Sequence, residues 1–328
     1  MELARRRVTG ESEPGQVGAS SSPSRASLGS VDPTRTARPP RLVATDIDGT
    51  ILPHGGAVSA RTRAALQNSV RQGVPVLLVT GRPPRWLPPV LEATGHRGPV
   101  ICANGAVVLD GDSRVVTAHA IAPEQVREVA GRLRARVPDV LFAVETTEDL
   151  RVESGYLELR GRRRAEGLVP TLPPRTRHAR QVEDLLDGAP IVKAVALSPA
   201  SRPDALLALG RTHLADLVAP THSSTGMALL ELGPLGVSKA STLADVAGSL
   251  GVARADVVAF GDMPNDVEML RWAGRGYAMS GGHPDAVAAA AHVARPAAED
   301  GVARVLEQLL DLPRNPASEE PVPVAGGR

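Results

Sequence analysis

The stretch LVATDIDGTIL, Leu42 to Leu52, decides how the rest of the chain is read. It begins as a run of apolar and β-branched residues, the composition of a buried strand. It then ends in two acids, Asp46 and Asp48, followed by Gly49 and Thr50. Residues two apart on a strand point to the same side, so both carboxylates face one cleft where the strand stops. Held together, they repel; a divalent cation relieves the repulsion, and hard oxygen ligands of this kind suit Mg²⁺. Gly49 lets the chain turn beside such a ligand. A capped strand-to-loop turn would account for the same residues, so their neighbours must decide.

Outward from this stretch, short apolar runs alternate with amphipathic helices. SARTRAALQNSVRQG reads as a helix with Ser59 as N-cap and Gly73 just past its end. VPVLLVT and GPVICA are further near-continuous apolar runs, separated by a Pro-containing helical stretch. Strands apolar on both faces and joined by helices imply a parallel sheet covered on both sides, which is an α/β, doubly wound, Rossmann-like core. AVVLDGDSRVVTAHA breaks the pattern with a hairpin around Asp110 and Gly111. An inserted α+β domain with a mostly antiparallel sheet follows, and SKASTLADVAGSLG, DVVAFGD, VEMLRWAG and GRGYAMS then restore the alternation. The expected organisation is a disordered tail over 1–40, core over 41–119, insertion over 120–228, core again over 229–313, and a second disordered tail over 314–328. Both tails lack a periodic apolar face to offset the entropy of ordering.

Composition narrows the function classes. The 328 residues carry 37 Lys plus Arg against 36 Asp plus Glu, a net charge of +1, so no global field attracts nucleic acid or an anionic membrane. Two Trp, two Tyr and two Phe leave little on which single-stranded bases would stack. The single cysteine, Cys102, excludes an internal disulfide and fits a reducing compartment; within an apolar strand it reads as a small buried hydrophobe. No run approaches the roughly 20 apolar residues of a membrane span, and the N-terminus has no apolar core of a secretory signal. The expectation is a cytoplasmic protein without nucleic-acid or membrane partners.

Chemistry recurs at the ends of the other core strands. LLVTGR closes one with Thr80 and Gly81, a hydroxyl and a backbone N–H suited to phosphate oxygens. GVSKAS puts Lys239 at a helix start, where the ammonium and the helix terminus both favour an anion. VAFGDMPND ends another strand with Asp262, Asn265 and Asp266. Ligands of open α/β sheets bind outside the carboxyl ends of the strands, so convergence there is the strong signal, where each motif alone is weak.

In that order, DIDGT, TGR, SK and GDMPND resemble the four motifs of the haloacid dehalogenase superfamily, and in particular its Cof-type hydrolases, which carry a large α+β cap between the second and third motifs. ICANGA and EDGVARVL are similar to the Cof-type pattern too, and the resemblance spans about Leu42 to Leu310. It implies Asp46 as a nucleophile that forms an aspartyl-phosphate and Asp48 as general acid and base. It further implies Mg²⁺ held by Asp46, the Asp48 backbone carbonyl and Asp262, with Asp266 close by, and phosphoryl oxygens held by Ile47, Thr80, Gly81, Lys239 and Asn265. The implied activity is Mg²⁺-dependent hydrolysis of a small phosphorylated metabolite, with sugar phosphates among the classes. A phosphomutase, or a non-catalytic ligand-binding or regulatory protein on the same fold, is the alternative. The chain departs from many relatives at Ala240, where they have Gly, and at Gly281 and Gly282, where they have an Asn-Ala pair.

In this family the cap edge faces the active site, so His222, Ser223 and Ser224, in the loop before MALLEL, are expected to read the leaving group. Glu145, at the end of VLFAVE, is a similar candidate, although an exposed acid at a strand end is the commoner explanation for such a residue. A solvated turn accounts for the three loop residues equally well. The basic run from Arg160 to Arg164 reads as solvated surface.

Overall fold

The computed structural model describes residues 38–165, 176–224, 226–313 and 322–323. Its first part comprises β1 (Leu42–Thr45), β2 (Ala57–Val58), α1 (Ala60–Arg71), β3 (Val76–Val79), α2 (Pro88–Thr94), β4 (Val100–Cys102), β5 (Val107–Leu109) and β6 (Val115–Ala118). The insertion follows as α3 (Pro123–Arg134), β7 (Leu141–Thr146), β8 (Leu150–Glu153), α4 (Ser154–Ala165), β9 (Thr176–Ala179), β10 (Ile191–Leu197), α5 (Pro203–His213), β11 (Val218–Thr221) and β12 (Leu229–Pro234). The chain returns to the core with α6 (Lys239–Ser249), β13 (Val257–Gly261), α7 (Val267–Trp272), β14 (Arg275–Met279), α8 (Pro284–Ala289), β15 (His292–Ala294) and α9 (Gly301–Leu309), and β16 (Val322–Pro323) closes the described residues.

One eight-stranded sheet runs in the order β15-β14-β13-β1-β3-β4-β5-β6, parallel from β15 to β4, with β5 and β6 antiparallel. Alternate residues of β1 divide between its two apolar layers: Val43 packs with Leu78 and Phe260 on one face, and Leu42 and Ala44 pack with Leu77, Leu243 and Met269 on the other. Burial on both faces is what wrote the near-continuous apolar runs into the sequence. Ser59 caps α1 as expected, accepting the Thr62 N–H at 3.0 Å, and the hairpin turns at Asp110, whose side chain accepts the Asp112 and Arg114 N–H groups.

The second sheet has six strands in the order β11-β12-β10-β7-β8-β9. Phe142, Val144, Ala194, Ala196, Leu230 and Leu232 face α3 and α5. The alternate residues Ala143, Val195 and Leu229 face the other way, with Tyr156 of α4. Because β12 hydrogen-bonds to both β10 and β11, the second sheet runs on to Pro234, past the boundary expected at 228. The strand β8, the helix α4 and the parallel strand β9 carry no clear period in the sequence and were not expected. Arg160, read as part of a solvated run, is buried on α4, because its position on the helix faces the second sheet rather than water; the side chains of 162–164 lie outside the described residues. Within the stretch expected to be an unstructured tail, Val322–Pro323 pairs antiparallel with Ala57–Val58, while residues 1–37, 314–321 and 324–328 of the two tails lie outside the described residues.

Candidate active site

The strand order reverses at β1, which has β3 on one side and β13 on the other, all parallel. The chain therefore leaves all three strands at one edge, with Asp46 after β1, Thr80 after β3 and Asp262 after β13. A crevice at such a reversal is the ligand site of open α/β sheets.

Asp46 is buried there, and Lys239, the first residue of α6, reaches it. Lys239 Nζ lies 2.6 Å from Asp46 Oδ1 and 2.7 Å from Asp266 Oδ1. Burial alone would lower the pKa of this fully enclosed ammonium, but the charges of Asp266 and Asp46 outweigh it and hold the group above its ordinary value. The other Asp266 oxygen accepts the N–H groups of Asp262 and Met263, each at 3.0 Å. Asp266 thus fixes the lysine and the loop after β13 at once. Thr50 donates its hydroxyl to Asp262 at 3.1 Å. Gly49 has φ +83°, and a Cβ there would stand 2.1 Å from Asp262 Oδ2, so only glycine brings this turn against that carboxylate.

Asp46, Asp262 and Asp266 bring carboxylate oxygens within 4.8 Å of one another. Three buried acids against one lysine leave an oxygen-rich, net negative centre, a donor set that fits Mg²⁺. Asp48 takes no part with its side chain. Arg82 Nε and Nη2 bind its two oxygens at 2.8 and 2.6 Å. The Ile47 side chain is in the core, and its carbonyl accepts the N–H groups of Thr50, Ile51 and Leu52. Thr80 is buried, with its hydroxyl accepting the Arg82 N–H at 3.1 Å.

Above these loops lies the underside of the inserted domain. Glu145, Lys193 and Glu231 share strand parity with Ala143, Val195 and Leu229, so all three charges point to the face away from α3 and α5. Lys193 Nζ donates to the Gly81 carbonyl at 2.8 Å and lies 3.3 Å from Glu231 Oε2. Asn104 donates to Glu231 at 2.7 Å and accepts from Asn265 at 3.0 Å. The turn that presents Asn104 is unusual: Ala103, Asn104 and Gly105 all have positive φ, at 49°, 57° and 108°. For the two non-glycine residues this costs about 1 kcal/mol or more each, strain that survives only where surrounding contacts over-determine it.

A cavity of about 350 Å³ separates the two domains here, bordered by Arg82, Trp86, Glu145, Tyr156, Lys193 and Met227. Of the four residues expected to read the leaving group, Glu145, Ser223 and Ser224 line it. Burial raises the Glu145 pKa, opposed by the Arg85 guanidinium paired with it and by Lys193, and Ser223 donates its hydroxyl to Glu231. His222 does not line this cavity: its Nε2 is 2.9 Å from Asp204 Oδ1, which His283 of the core also approaches, at 3.1 Å. It is drawn away because the Asp204 carboxylate gives a buried imidazole a partner. Sequence reasoning gave no role to Arg82, Lys193 or Glu231. The signal for the last two was a single charge inside an otherwise apolar strand, IVKAVAL and LLELGP.

The family model of haloacid dehalogenase-like hydrolases matches residues 43–306. YkrA of Bacillus subtilis (strain 168) is 28% identical over 270 residues, covering 82% of this chain and 97% of that protein. The phosphoglycolate phosphatase of Methanopyrus kandleri is 29% identical over 270 residues, with the same coverage of 82% and 97%. The solved structure of the phosphatase BT1666 from Bacteroides thetaiotaomicron shares the fold, with a TM-score of 0.70 at 21% identity, over 85% of this chain and 98% of that one. With the family match running from the first core strand to the last core helix, the chain belongs to the haloacid dehalogenase-like hydrolases.

Proposed function

We propose that the protein hydrolyses the phosphate monoester of a small metabolite through a phosphorylated Asp46, with Mg²⁺ as cofactor. The observation that carries this reading is the buried Asp46 carboxylate, held by Lys239 at 2.6 Å in the crevice where the sheet order reverses. A carboxylate is a competent covalent nucleophile for phosphoryl transfer. An Asp46 oxygen bonds to phosphorus as the bond to the ester oxygen breaks, and Asp48 gives the departing oxygen a proton. Asp48 then takes a proton from water, whose oxygen bonds to phosphorus as the Asp46 oxygen leaves, and free phosphate and both acids are restored.

Lys239, Asn265, Thr80 and the Gly81 and Ile47 backbone are the groups assigned to the phosphoryl oxygens. Mg²⁺, held by Asp46, the Asp48 carbonyl and Asp262, supplies the charge that lets an anionic carboxylate approach an anionic phosphate. Asp266, with both oxygens already engaged, positions Lys239 and Asp262. The leaving group occupies the cavity under the cap, where Glu145, Ser223 and Ser224 contribute to selectivity, and sugar phosphates are one substrate class to screen. The intact set of Asp46, Asp48, Lys239 and Asp262 argues against a non-catalytic role. A cytoplasmic location belongs to the same reading, consistent with one free, buried cysteine; among the described residues no helix is long and apolar enough to cross a membrane. The test is phosphate release from para-nitrophenyl phosphate and a panel of phosphorylated metabolites, with Mg²⁺ and with chelator. Release that requires Mg²⁺ is expected; no release from any ester would overturn the reading.

A further inference from the structure

We propose that Lys193 and Glu231 are positioning residues: an ion pair on the cap that assembles the phosphate-binding loops of the core when the two domains are together. The proposal deepens the phosphatase reading and rests on it. The two residues sit on neighbouring strands, β10 and β12, and point to the same face. Each sends a separate hydrogen-bonded arm into the core.

The Lys193 arm ends on a single peptide group. Its ammonium binds the Gly81 carbonyl at 2.8 Å, while the N–H of the same peptide, that of Arg82, donates to Thr80 Oγ1 at 3.1 Å. The peptide plane is thereby pinned from both ends. It leads directly into the Arg82 side chain, whose fork holds Asp48. The Glu231 arm runs through Asn104, which donates to Glu231 Oε2 and accepts from Asn265. It thus holds the Asn265 amide and the positive-φ turn at Asn104 in one arrangement.

Stability is a poor reason for these residues to be there. Lys193 and Glu231 are both buried, and desolvating an ion pair consumes most of what its attraction returns, so well-packed apolar side chains would serve a strand such as IVKAVAL at least as well. What the pair provides is geometry across a domain boundary. Without the cap's contacts, the Gly81 carbonyl loses Lys193 and the Asn104 side chain loses Glu231. The phosphate site is then complete only with the cap in place, and phosphate affinity becomes a measure of closure.

The experiment compares the parent protein with Glu231→Gln, Lys193→Met, the charge-retaining Lys193→Arg, and the double variant. Binding of inorganic phosphate in the presence of Mg²⁺, binding of Mg²⁺ alone, and Tm are measured by calorimetry. Phosphate affinity is expected to fall about tenfold in Glu231→Gln and in Lys193→Met, to fall little further in the double variant, and to recover in part in Lys193→Arg, with Mg²⁺ affinity within about twofold of the parent. Unchanged phosphate affinity in both single variants overturns the proposal. So does a loss of phosphate binding matched by an equal loss of Mg²⁺ binding, which would mark a general loosening of the site. Should the parent release phosphate from no ester yet bind phosphate in a manner that depends on the pair, the hydrolase reading falls and the positioning role stands.

Discussion

Arg82 holds both carboxylate oxygens of Asp48 in a fork at 2.8 and 2.6 Å, and both residues are buried. In this fork Asp48 is an ion-paired carboxylate, so the substrate must displace one of the contacts before Asp48 can carry the proton it gives to the leaving oxygen, and Arg82 sets where it waits. Lysine offers a point charge and cannot bind two oxygens in one plane. Arg82→Lys should lower kcat on para-nitrophenyl phosphate by about tenfold to a hundredfold. A kcat equal to that of the parent would show that the fork has no part in turnover.

Asp46→Asn replaces the attacking carboxylate with an amide. Turnover should fall by about a thousandfold or more, while Lys239 keeps its contact with Asp266 and the fold persists. Near-parental hydrolysis by the purified variant would remove Asp46 from the mechanism.

Asp48 and Asp262 divide by contact. The Asp48 side chain is occupied by Arg82, whereas that of Asp262 joins the oxygen cluster. Asp48→Asn is therefore expected to lose turnover and keep Mg²⁺, and Asp262→Asn to lose both, as read by Mg²⁺ titration. Equal loss of Mg²⁺ in the two variants would contradict this division.

Asp204 links the cap helix α5 to His283 of the core. The hydrogen bond from His222 lowers its pKa, partial burial opposes this, and His283 adds to the lowering. A depressed carboxylate stabilises the fold fully above its unfolded pKa of about 3.9, and that contribution is lost as the pH falls through the lower folded value. The Tm difference between the parent and Asp204→Asn should thus be full near pH 5 and shrink below about pH 4. A difference unchanged at pH 3 would mean that the carboxylate charge is not its source.

His222 is almost wholly enclosed, with its imidazole turned to Asp204. His222→Ala should lower Tm by several degrees, about the effect of losing 1–2 kcal/mol in a domain of this size, while selectivity among phosphate esters is kept. A selectivity change without a Tm change would return His222 to the leaving-group cavity.

The sequence by itself determined the architecture of the core and the order of its motifs. Strands buried on both faces must be apolar throughout, and Asp46, Thr80, Lys239 and Asp262 stand at element ends that a parallel sheet brings to one edge. The alternation of period-2 and period-3.6 patterns is local, so it can be read without knowing which strands meet. The tertiary structure alone decided what the cap contributes. That Lys193 lies against Gly81 and that Glu231 meets Asn104 depend on how two sheets far apart in the chain are brought face to face, and that His222 turns to Asp204 depends on how α5 packs beside β11 within the cap. Each pairing joins residues many positions apart, and one charge in an apolar strand signals only that some partner is needed. Which partner it finds is set by the register of β10 on β12 and by the approach of the cap to the core, and neither is written in any local pattern.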